Sequence, residues 1–171
     1  MRSIQLIVVA SLLLIPGPIN SQTRRRTSSP RPSPAGSNLA QVRTAGATRV
    51  SDQVKNLTKF LYLYGGIGKD LIAVDQAVQR GEASQSAIDK ANQSKASVKR
   101  SLDNVRDGLD QLEVDFRTTP ALQPYYIKLA GSASGAANAA QLADQGQYDR
   151  SGRALLDVVN RLTDVLLAIR Q

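Results

Sequence analysis

Asp103, Asp107, Asp110 and Glu113 recur at helical spacing, and such a row of carboxylates suits metal chemistry. Two-metal sites in helical bundles add Glu-x-x-His pairs to their inward carboxylates, and this chain has no histidine. It has no cysteine either. Together the two absences remove the Ser-His-Asp triad, the thiolate nucleophile, the thiolate-zinc site and the disulfide. The four acids stand one step off the neighbouring apolar period, with Arg106 among them, which predicts a solvated face. The pattern assigns no residue to catalysis, to a metal or to a cofactor.

YGGIGKD, at positions 64–70, invites comparison with a phosphate loop. A Walker sequence requires Gly where Leu63 stands and Ser or Thr where Asp70 stands, and it follows a strand. Here the apolar period continues through the stretch, so its glycines mark tight helix packing or a bend. One grouping does form a candidate ligand pocket. Gly68, Ala140 and Gly152 thin one layer of side chains, which Tyr64, Tyr148, Val98 and Leu102 wall and Lys95 supplies with a charge. The helices either close toward ~8 Å there or leave a cavity, and the dense packing of protein interiors favours closure.

These residues must be positioned by helices. From Tyr148 the steps to Gly152, Leu155, Val159, Leu162, Leu166 and Ile169 alternate four and three, an a/d seam that Val158 and Val165 widen. A first seam runs through Val50, Val54, Leu57, Leu61, Tyr64, Gly68, Leu71, Asp75 and Val78, and Gly81 closes it. Ser84 caps a second, carried by Ile88, Ala91, Lys95, Val98, Leu102, Val105, Leu109, Leu112 and Phe116. After Thr119-Pro120, a third passes through Leu122, Tyr126, Leu129, Ala133, Ala136, Ala140 and Ala143.

The four seams match as layers, large residues against alanine, which predicts an all-α, antiparallel up-down-up-down four-helix bundle. Its helices are expected at about 39–80, 84–117, 120–145 and 147–170, with a longer hairpin from the first two. The expected layers set Tyr64 with Leu155, Gly68 with Gly152 and Leu71 with Tyr148. Asp75 and Lys95, the charges within the seams, fall about one turn apart across the hairpin and predict an ion pair.

The first residues read differently. A basic start and an apolar run at 4–15, broken by Pro16-Gly17-Pro18, predict a secretory signal peptide at 1–21 and an exported protein. The run falls short of the ~20 residues that a membrane-spanning helix needs. Residues 22–38 are rich in Arg, Pro and Ser, which predicts a disordered linker. Arg24, Arg25, Arg26 and Arg31 there are a candidate contact for an anionic membrane surface or another envelope polyanion. The formal charge is +8, but from Leu39 onward 17 basic residues face 14 acidic ones. The basic excess therefore belongs to the tail, and no specific nucleic-acid binding is expected.

A complete scaffold without the alphabet of common catalysis points to a non-enzymatic module that works by contact with a protein partner at or near the cell envelope. The alternative is a small-molecule binder that uses the thin layer near Gly68 and Gly152.

Overall fold

The computed structural model describes residues 34–171. The signal-peptide expectation, the 22–33 part of the linker and Arg24, Arg25, Arg26 and Arg31 lie outside the described residues. Five helices follow one another: α1 Pro34–Gln79, α2 Gln85–Thr118, α3 Gln123–Leu129, α4 Ser132–Asp144 and α5 Tyr148–Arg170. The all-α class holds, with four helical positions packed against one another, because α3 and α4 share one of them. Among the described residues no helix is long and apolar enough to cross a membrane.

Four helix pairs are tied at two levels each, and in each pair the residue numbers run in opposite directions along the two helices. Between α1 and α2, Arg49 meets Asp115 at 2.7 Å and Asp75 meets Lys95 at 2.7 Å. Between α2 and α4, Glu113 reaches the backbone of Ala133 and Lys99 reaches Asp144. Arg161 of α5 donates to the carbonyl of Ala130, just before α4, while Val158 stands against Gly135 within it. Ala47 and Ile169 line one groove between α1 and α5, and Gly68 and Tyr148 meet farther along.

The core is the meeting of the seams. Val50, Leu57, Tyr64 and Leu71 of α1 are buried with Val98, Leu102, Leu109, Leu112 and Phe116 of α2. From α5 come Leu155, Val158, Leu162 and Val165. Leu162 is fully buried while Thr163, the next residue, is exposed, as a helix with one apolar face requires. Ser84 caps α2 by accepting a hydrogen bond from the Ala87 amide. Gly81 and Gly146 close the turns after α1 and α4 with φ of 73° each, a conformation in which a β-carbon is strained.

Several expectations need correction. The single helix over 120–145 is broken at Ala130-Gly131, where Gly131 takes φ 88°. The break removes helical partners from nearby carbonyls, and side chains replace them. Ser132 Oγ donates to Leu129 O at 2.6 Å, and Arg161 Nη1 donates to Ala130 O at 2.6 Å. The helix also starts at Gln123 rather than 120, with Pro124 inside its first turn, where a missing amide costs no hydrogen bond.

A further correction concerns layer register. Tyr64 packs beside Gly152 and Gly68 beside Tyr148, one seam step away from the expected Tyr64–Leu155 and Gly68–Gly152 layers. A large ring placed opposite each glycine fills volume that two facing glycines would leave empty. At its N-terminal end α1 includes 34–38, which the sequence reading gave to the linker.

Candidate functional site

Tyr148 divides the candidate pocket in two. On one side lies a polar recess of about 320 Å³ that includes Lys95, Val98 and Tyr148. On the other, Tyr64, Gly68, Tyr148 and Gly152 line a groove of about 480 Å³ between α1 and α5. Leu102 is fully buried in the core and Ala140 is half-buried beside it, and neither lines either space. The structure thus brings the candidate residues to one level of the bundle without making one pocket of them.

Closure of the glycine layer follows from geometry. A β-carbon built on Gly68 would stand 3.0 Å from Cβ of Tyr148, and one on Gly152 would stand 3.9 Å from the ring of Tyr64. Tyr64 stacks on Phe60 at 5.2 Å and meets Tyr148 edge-on at 6.3 Å. The three rings seal the layer. Behind them the hydroxyls of Tyr64 and Ser151 are both buried, and neither completes a hydrogen bond of regular geometry. Burial pushes the Tyr64 phenol above its ordinary value, against the opposing effect of the Ser151 hydroxyl.

The polar recess is the neutral meeting of two ion pairs. Lys95 donates to Asp75 at 2.7 Å and Lys99 to Asp144 at 3.2 Å. The hydrogen bond it donates to Asp75 holds the Lys95 ammonium above its usual range, opposed by partial burial. Burial raises the Tyr148 phenol too, while the nearby Lys95 charge lowers it. Because each lysine already has its carboxylate, the recess has no uncompensated charge to offer an anion.

The carboxylate row on α2 has two roles. Asp103 and Asp107 pair with Arg106 on the surface. Glu113 leaves the solvated face: its Oε1 accepts from the amide of Ala133 at 2.8 Å, at the start of α4. A carboxylate there satisfies an orphan amide and meets the positive end of the helix. Sequence spacing concealed this role because the helix start that Glu113 caps is created by the break at Gly131. Among the described residues no cluster of acids is placed to hold a metal ion.

The α1–α5 groove has an open face as well as a closed floor. Tyr62 is 85% exposed and Leu156 51% exposed, and both line it with Gly65, whose missing β-carbon would meet nothing within 4 Å. Glycine within an exposed helix costs about 1 kcal/mol relative to alanine, and the fold's own packing does not require it at position 65. The sequence reading passed over Tyr62 and Gly65 because neither lies in a seam. The signal that finds them is an aromatic residue one turn from a glycine on the outer face of α1. Comparison with family models, with curated proteins and with solved structures gives no match.

Proposed function

We propose that this chain is an exported, non-enzymatic helical module that works by contact with another macromolecule at or near the cell envelope. Its folded part is, in this reading, an up-down-up-down bundle carried behind a signal peptide and a basic linker. The observation that supports contact is the groove between α1 and α5, where Tyr62 projects beside a floor of glycine. Large aromatic residues at such exposure are the side chains that most often anchor protein interfaces. Backbone left bare by glycine lets a partner approach closely.

The test is capture from envelope extract by the immobilised chain and by its Tyr62→Ala and Leu156→Ser variants. Retention of a specific partner by the parent chain, lost in both variants, supports the reading. Identical binding profiles for the three proteins contradict it. Arg24, Arg25, Arg26 and Arg31 supply a second, electrostatic contact in this proposal, and that contact weakens with salt.

A further inference from the structure

We infer that one end of the α1–α5 face, where the chain enters the fold, is built to lie on an anionic phospholipid surface. The inference rests on the electrostatic contact proposed for the linker arginines, extends it to the folded chain and names the occupant. Arg43, Lys55 and Arg170 line a groove of about 370 Å³ together with Thr44, Thr48 and Ser51, and no carboxylate lines it. Among the described residues Arg43 and Arg170 form no ion pair. Lys55 meets Asp52 at 3.2 Å, but both side chains are more than half exposed, so solvent screens that pair. Asp157 and Asp164 stand about 120–140° round α5 from Arg170, on a different face of the helix. The carbonyl end of α5 carries roughly half a negative charge, which offsets only part of Arg170.

Position along the chain agrees with the charge. Helix α1 starts at Pro34, so the chain enters at this end, and Arg24, Arg25, Arg26 and Arg31 come just before that point in sequence. The groove also has an apolar neighbour. Leu167 is 56% exposed and stands one turn before Arg170, on the same face of α5. A lipid surface accepts both kinds of group: headgroup phosphates take the cations, and the acyl boundary takes the leucine. Long arginine and lysine stems let the charges reach the headgroups from beside that residue. A soluble polyanion engages the cations alone and leaves Leu167 in water. The groove that holds Tyr62 shares none of these residues, so the two surfaces are separate.

Co-sedimentation of the mature chain with phosphatidylcholine vesicles, with and without phosphatidylglycerol, tests this beside binding to heparin as a soluble polyanion. The parent chain is expected on the anionic vesicles only. Joint replacement Arg43→Gln, Lys55→Gln and Arg170→Gln should weaken that binding by about tenfold or more, with the linker arginines intact. The same loss of charge at the other end, by Lys69→Gln, Lys90→Gln and Arg150→Gln, should weaken it by no more than about threefold. Leu167→Ser should weaken vesicle binding by about threefold or more and leave heparin binding unchanged. All of these side chains are exposed, and unchanged melting temperatures verify that the fold is kept. Equal losses from the two triple variants, or vesicle binding by Leu167→Ser equal to the parent's, overturn the inference. Vesicle binding that disappears when Arg24, Arg25, Arg26 and Arg31 become Gln, yet survives the first triple variant, overturns it and leaves the linker contact standing. Heparin binding without vesicle binding does the same. A parent chain that binds neither overturns the inference and the linker contact together.

Discussion

Gly68 and Tyr148 meet so closely that a β-carbon on the glycine would stand 3.0 Å from the β-carbon of the tyrosine. That contact fixes the register between α1 and α5 and determines where the groove opens.

The glycines of α1 are therefore expected to respond with opposite signs. Gly68→Ala forces two backbones apart, because a β-carbon cannot swing aside as a side-chain tip can, and should cost roughly 1–3 kcal/mol. Gly65→Ala meets nothing and should add about 0.5–1 kcal/mol through helix propensity. Urea midpoints of the two variants decide it, and a loss at both positions would mean that α1 tolerates no side chain on either face.

Tyr64→Phe should leave the fold as stable as the parent or raise it by up to ~1 kcal/mol. The hydroxyl is buried without a regular partner, so removing it relieves a desolvation cost. A fall of ~1 kcal/mol in urea unfolding would show that Tyr64 and Ser151 are hydrogen-bonded after all.

Stability should hold to about pH 10 and fall above it. Tyr64 and Tyr148 have phenols raised from 10.0, so the unfolded chain loses these protons first and gains relative to the fold as pH rises. Lys95, raised from 10.5, contributes fully below that value and loses its contribution as pH climbs through its folded pKa. All three shifts act on the alkaline side. Thermal melts from pH 7 to 12 check the sign, and Tyr64→Phe should flatten part of the fall.

The Asp75–Lys95 pair should contribute little. Its side chains are 41% and 39% exposed, so solvent screens the 2.7 Å contact, and a coupling of ~0.5–1 kcal/mol is expected from a double-mutant cycle of Asp75→Asn and Lys95→Met. A coupling of zero would mean that the pair sets neither stability nor register.

How much of this was legible in the sequence divides along physical lines. Seam residues such as Leu57, Leu102, Leu109 and Leu162 were legible because burial repeats with the helical period. The Asp75–Lys95 pair followed from the same numbering. The break at Gly131 did not, because the apolar steps on either side remain compatible with one straight helix. Arg161 and Glu113 serve that break from other helices, so their roles could not be read before it was known. The glycine layer was located but its register was not: packing of Tyr148 against Gly68 is a matter of shape, which periodicity does not encode. Tyr62 and Gly65 lay off the seam and offered no burial signal at all.

The central claim is that the α1–α5 groove is the contact surface, and a photo-crosslinking side chain tests it most directly. Benzoylphenylalanine placed at Tyr62 and, separately, at Leu63 samples two exposed neighbours, of which only the first lines the groove. Irradiation of cells that express each protein should give a discrete adduct from position 62 and none above background from position 63. Equal yields from the two positions, or no adduct from position 62, would contradict the assignment of the groove as the working face.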